Sequence, residues 1–282
     1  MQTSPETDVV EAPVETSAKA SADNTAAAGA TADIALAVRD HLVSRLRETV
    51  AQDQPFSHLY LENFFPDSVY QRILACPPPA EYCKGLNHKE AMRSDGSSTR
   101  QVFPFNPGNL ERLQGEAQTL WRGITEGMQA PEVKQALFEC LGTDLASRFK
   151  VTTSAVPDIE AHPKTGYFCD HSGYQISPHR DVARKIVTMQ VYLPADRSQE
   201  SMGTSLYERG IIGRLQYEFR KLGLGKKSGF REVKRFPFVP NSAYAFVVGK
   251  HSWHGRPEIH GESERRSLMQ IYYANPSEPF YD

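Results

Sequence analysis

The chain has 282 residues, of which 39% are hydrophobic and 23% charged, enough to bury one substantial core. A formal net charge of −2 excludes chain-wide attraction to nucleic acid or to an anionic membrane surface, so any such attraction must be local. The four cysteines form no C-x-x-C pair, nothing at the N-terminus resembles a secretory leader, and no apolar run approaches the roughly 20 residues of a membrane span, so a cytoplasmic protein is expected.

Residues 1–33 are rich in Ala, Thr, Ser and acids, contain no aromatic residue and carry one basic residue, Lys19. Such a segment cannot bury enough surface to offset its ordering entropy, and a disordered tail is expected. Its acids argue against a mitochondrial transit peptide. The remainder, 34–282, reads as a single domain with helical support over 34–148, a β core over 149–275 and a basic insert over 208–235.

Asp33 can cap a helix whose apolar positions Leu36, Val38, Leu42, Val43, Leu46 and Val50 recur at helical spacing. His58 to Leu61 reads as a strand, Phe64-Phe65-Pro66-Asp67 as a turn, and Ser68 to Cys76 as a helix stopped by Pro77-Pro78-Pro79. Residues 84–100 read as a polar loop. A second helical region covers 107–148, with Pro131 opening a segment whose Val133, Leu137, Cys140 and Leu141 share a face. Beyond it, strand-like runs dominate: Phe149 to Val156, Tyr167 to Ile176, Ile186 to Leu193, Thr204 to Tyr207, Ala243 to Val248 and Ser267 to Tyr273. A helical first half against a multi-stranded second half points to a mainly β fold with flanking helices (α+β), one barrel-like core buttressed by the N-terminal helices.

Chemistry concentrates at His179-Arg180-Asp181. His-x-acid alone is weak evidence, because His88-Lys89-Glu90 and His260-Gly261-Glu262 also fit it. Only His179-Arg180-Asp181 is followed closely by an alternating β run, Lys185 to Leu193, bounded by Pro194. With His254 downstream it offers two imidazoles and one carboxylate, a set that suits non-haem Fe(II) and leaves coordination positions open.

Taken with Tyr60-Leu61-Glu62-Asn63-Phe64-Phe65-Pro66, Tyr192-Leu193-Pro194, Gly203-Thr204-x-Leu206-Tyr207, Ser252-Trp253-His254-Gly255 and Arg265-x-Ser267, this pattern resembles the Fe(II)/2-oxoglutarate-dependent oxygenases over roughly residues 56–275. The resemblance implies a double-stranded β-helix (jelly roll) core, with His179, Asp181 and His254 as the catalytic iron ligands. It makes Arg265 the cation for the far carboxylate of 2-oxoglutarate, Ser267 a supporting hydroxyl on the same face, and, by similarity to the prolyl hydroxylase branch, Tyr192 a second carboxylate contact. Arg266 then faces outward, and His251 is a bystander to His254. The implied reaction consumes 2-oxoglutarate and O2, releases succinate and CO2, and hydroxylates a small-molecule or biosynthetic intermediate, with ascorbate as a supporting reductant. Asp181 fills the position that halogenating members leave for halide; desaturation and ring closure stay open.

The insert 208–235 carries nine Lys or Arg against three acids, which suits either a lid attracting an anionic substrate or a solvated charged face. No basic-aromatic groove marks nucleic acid as a partner. Two other functions use the same residues: a zinc hydrolase built on the same triad, and a jelly-roll binding or sensor protein without turnover. Tyr174, Trp253 and Trp121 read as packing residues.

Overall fold

The computed structural model describes residues 15–209, 229–261 and 264–281, with side chains from residue 25 onward. Helices α1 (Glu15–Glu48), α2 (Asp67–Ala75), α3 (Pro107–Arg112), α4 (Gly115–Gln129), α5 (Pro131–Cys140) and α6 (Gly142–Phe149) lie almost entirely in the first half of the chain. The strands are β1 (His58–Glu62), β2 (Lys84–Gly85), β3 (Arg100–Pro104), β4 (His162–Asp170), β5 (Ile176–His179), β6 (Lys185–Tyr192), β7 (Ser205–Arg209), β8 (Phe230–Arg235), β9 (Ser242–Val247), β10 (His254–Arg256) and β11 (Arg265–Tyr273). They form a seven-stranded sheet in the order β1-β9-β6-β11-β4-β3-β2 and a four-stranded sheet in the order β5-β10-β7-β8. Every pairing among them is antiparallel. The fold is therefore mainly antiparallel β with flanking helices.

The large sheet separates two interiors. On β6, Val187, Met189 and Val191 join α1, α2, α4 and α5 in an apolar core that also takes Leu268 and Tyr272 from β11. The alternate residues of β6, Thr188, Gln190 and Tyr192, point the other way, as the period of two requires. There Tyr192, with Tyr244 and Phe246 of β9, meets Leu206 of the small sheet in a second, aromatic cluster. Strand β11 alternates in the same sense and brings Arg265 and Ser267 to this second side.

Several expectations shift. Helix α1 begins at Glu15, inside the segment expected to be a disordered tail, and has no start at Asp33; the Ala-rich sequence there has high intrinsic helix propensity. Residues 1–14 of that tail lie outside the described residues. The buried face of α1 is Ile34, Val38, Leu42 and Leu46, whereas Leu36 and Val50 are exposed. It packs against α4 closely enough that a Cβ on Gly127 would lie 2.7 Å from the Ala35 carbonyl. The expected strand from Phe149 to Val156 is absent: Lys150, in the left-handed region at φ 57°, closes α6, and a 3-10 turn from Thr153 to Asp158 follows. The expected loop 84–100 ends in β3. Within the insert 208–235, residues 208–209 and 230–235 belong to the paired strands β7 and β8, and 210–228 lie outside the described residues.

Candidate active site

The small sheet assembles two of the three predicted metal ligands directly. His179 at the end of β5 is registered opposite His254 at the start of β10, with ring centroids 4.3 Å apart. Asp181, just past β5, completes the group; one donor atom from each of His179, Asp181 and His254 lies within 4.8 Å of the others. Gly255 lets β10 approach this closely, because a Cβ there would sit 2.7 Å from the Ile176 carbonyl.

Both imidazoles are oriented alike. His179 Nδ1 lies 3.0 Å from the Ser177 carbonyl and His254 Nδ1 lies 3.0 Å from the Ser252 carbonyl. A carbonyl only accepts, so each Nδ1 carries the proton and each Nε2 presents a lone pair, the tautomer a metal requires. Burial lowers the pKa of both histidines, His179 to about 4 with help from His254, so both rings are neutral near pH 7. Asp181 accepts from Lys185 Nζ and from Thr188 Oγ1, each at 2.7 Å. Burial by itself would raise the Asp181 carboxyl, but the Lys185 charge and these hydrogen bonds hold it well below the usual carboxylate range. Two neutral imidazoles and an ionised carboxylate are thus ready before any cation arrives.

The triad stands between two spaces. A wide outer cleft of about 1140 Å³ is lined by His179 and Asp181 together with Arg180, Arg209, Phe230 and Trp253. The Trp253 ring is flanked by the Arg180 and Arg209 guanidiniums, whose carbons lie 4.8 and 4.2 Å from its centroid. A much smaller inner cavity reaches His179, Asp181 and His254 from the opposite side and is walled by Thr188, Gln190, Arg100, Arg256, Arg265 and Tyr174.

Inner-cavity electrostatics are dominated by arginine. Asp170, fully buried, accepts from Arg265 Nη1 at 2.9 Å through one oxygen, and its other oxygen lies 3.3 Å from Arg100 Nε. Arg265 Nε also donates to the Met202 carbonyl at 2.8 Å, and Arg256 Nη1 reaches that same oxygen at 3.1 Å. Burial, reinforced by the neighbouring Arg265 charge, pushes Arg256 down to about 9. Three guanidiniums therefore face one carboxylate. Ser267 and Tyr192 stand behind this wall: Ser267 Oγ accepts from Gln190 Nε2 at 3.0 Å, and Tyr192 Oη accepts from the Thr204 amide at 3.0 Å beneath the Arg265 guanidinium. Arg265 is buried and Arg266 lies on the helix side of β11, paired with Glu264 at 2.7 Å.

Among the described residues, the decoy motifs do not join the triad. Glu90 accepts from the Ser177 amide at 2.7 Å, and His260 is exposed. A second donor group among the described residues, Cys169 with His171 and Glu264, is poorer: burial pushes the Cys169 thiol up to about 12, and Glu264 is taken by Arg266. Sequence reasoning missed Arg100, Asp170, Lys185 and Arg256. For Arg256 a signal existed, since alternation places it on the His254 side of β10. Tyr174, expected to be a packing residue, is buried, lines the inner cavity and takes a hydrogen bond from Arg100.

No protein-family model matches the chain, and no curated protein matches it in sequence. Among solved structures it is similar to a prolyl-4-hydroxylase from Pseudomonas putida, with 17% identity over 85% of this chain and 98% of the other and a TM-score of 0.44. It is also similar to a Trichoplax adhaerens prolyl hydroxylase solved with a hypoxia-inducible-factor peptide fragment (9% identity, 84% and 89% covered, TM-score 0.49). A third is the Arabidopsis thaliana dioxygenase for auxin oxidation in complex with 2-oxoglutarate (10% identity, 82% and 87% covered, TM-score 0.46). These neighbours are Fe(II)/2-oxoglutarate-dependent oxygenases. Overlaps of this size assign no residue a role, and the chemistry of this chain is read from its own side chains.

Proposed function

We propose that the chain is an Fe(II)- and 2-oxoglutarate-dependent dioxygenase with a jelly-roll core, hydroxylating a small molecule. The observation that carries this reading is the position of the triad between a cation-lined inner cavity and a wide outer cleft. The donor set fits ferrous iron: His179 and His254 would bind through Nε2 and Asp181 through a carboxylate oxygen, with positions left for a 2-oxo acid and dioxygen. When bound, the iron supplies activation of O2 coupled to oxidative decarboxylation of 2-oxoglutarate.

The chain's own residues set the stage for that chemistry. The carbonyls of Ser177 and Ser252 fix the imidazole tautomers, and Lys185 and Thr188 hold Asp181 ionised and oriented. Arg265 contributes positive charge for the far carboxylate of the 2-oxo acid, while Ser267, through Gln190, and Tyr192 position that wall. The outer cleft takes the substrate. Arg180, Arg209 and Lys250 along it favour an anionic one, although Asp53 and Asp144 temper the far end. Substrate-uncoupled conversion of 2-oxoglutarate to succinate tests the proposal: Fe(II)-dependent succinate release is expected, and none from folded, iron-loaded protein would refute it. A zinc hydrolase would leave the inner cationic cavity without a task.

A further inference from the structure

The three arginines of the inner cavity are not equivalent once their nitrogens are followed one by one. Arg265, the arginine singled out by sequence, has Nε on the Met202 carbonyl and Nη1 on Asp170, which leaves only Nη2 unpaired. Arg100 has Nη1 on the Tyr174 hydroxyl and Nε facing Asp170. Arg256 has Nη1 on the Met202 carbonyl at 3.1 Å, and both Nε and Nη2 are buried without a partner. A carboxylate is gripped best by two parallel N–H groups, and the Nε–Nη2 edge of a guanidinium is such a pair. Arg100 likewise has Nε and Nη2 buried without a hydrogen bond, but its Nε is held 3.3 Å from Asp170 in an ion pair; among the described inner-cavity arginines, Arg256 alone has this edge in neither a hydrogen bond nor an ion pair.

We infer that Arg256 is the principal clamp for the terminal carboxylate of the ligand in the inner cavity, with Arg265 Nη2 as an auxiliary donor and Asp170 as the counter-ion that positions Arg265. This inference takes its ligand, a 2-oxo dicarboxylate, from the reading above. Arg256 is only 5% exposed, so its free edge has no bulk water to satisfy it, and a buried donor pair without a partner marks a place built for an acceptor. Its location suits the task. It lies one strand alternation beyond His254 on the same strand, so a short ligand could meet the triad at one end and Arg256 at the other. The shared Met202 acceptor draws the Arg256 and Arg265 guanidiniums side by side, a pairing of like charges that an anion between them would relieve.

Calorimetric titration of Mn(II)-loaded protein tests the inference, using 2-oxoglutarate and pyruvate, which lacks the terminal carboxylate. Wild type, Arg256→Met and Arg265→Met are compared, together with the melting temperature of each ligand-free protein. Arg256→Met is expected to weaken 2-oxoglutarate binding by about 30-fold or more, to leave pyruvate binding within about threefold, and to melt no lower than wild type, because removing a buried guanidinium with two unpartnered nitrogens beside the like-charged Arg265 offsets the one bond lost from Nη1 to the Met202 carbonyl. Arg256→Lys should restore little, since it returns the charge without the fork. Three results would overturn the inference: unchanged 2-oxoglutarate binding in Arg256→Met, equal loss of both ligands, or a marked fall in its melting temperature. Should wild type bind neither 2-oxo acid, yet succinate or phosphate raise its melting temperature and not that of Arg256→Met, the oxygenase reading fails and the Arg256 anion site stands. If none of these anions stabilises wild type, the Arg256 site falls as well.

Discussion

The two faces of strand β6 carry opposite physics within one stretch of chain. Val187, Met189 and Val191 enter a core of helices and apolar strand residues, where burial stabilises the fold in proportion to the area removed from water. Thr188 and Gln190, their neighbours in sequence, are just as buried yet face ionised groups and a hydrogen-bonded lattice that runs from Tyr244 through Gln190 to Ser267. The difference teaches that burial here serves two ends. One face supplies stability, and the other holds buried charge beside the His179, Asp181 and His254 triad.

Breaking the polar side should have the largest effect. Asp170→Asn removes the carboxylate shared by Arg265 and Arg100 and leaves three buried guanidiniums without a counter-charge. A loss on the order of 4 kcal/mol is expected from denaturant unfolding, because breaking a buried pair exposes the full desolvation penalty of its partners. On the apolar side, Leu268→Ala should cost about 3 kcal/mol through lost burial and a residual cavity. Its metal and 2-oxoglutarate affinities, measured on folded protein, should match wild type, which separates the two faces directly.

Acid sharpens the comparison further. His179 and His254 have folded pKa values depressed by burial, so the folded protein stays neutral at these rings while the unfolded chain takes up protons below about 6.5. Their contribution is therefore intact above pH 6.5 and is lost as pH falls below it, for His179 down to about 4. Metal-free protein should lose roughly 1–2 kcal/mol between pH 6.5 and 5 from His179 alone, and His179→Gln should flatten part of that slope. A slope unchanged in His179→Gln would show that this histidine is not the proton-linked group.

Legibility in the sequence followed the same division. The period of two in β6 was readable because both faces of the strand differ in kind, and the triad with Arg265-x-Ser267 was readable as a pattern of residue types. Strand β8 was not, because Phe230-Arg231-Glu232-Val233-Lys234-Arg235 pairs, among the described residues, only with β7 and keeps its charged residues in or near solvent. Val151, Thr152 and Thr153 carry strand propensity that the left-handed Lys150 and Pro157 override. Arg256 stayed hidden for a different reason. Its significance comes from which acceptors other arginines have already taken, and Met202 and Asp170 converge on that cavity from separate parts of the chain.

The central claim is that the triad and the arginine-lined cavity together hold iron and a 2-oxo acid. Anaerobic titration of the purified protein with Fe(II) and then 2-oxoglutarate, followed in the visible range, tests it most directly. A weak metal-to-ligand charge-transfer band in wild type, absent in His179→Ala, is the predicted result; folded protein that binds the metal but shows no band on adding 2-oxoglutarate would contradict the account.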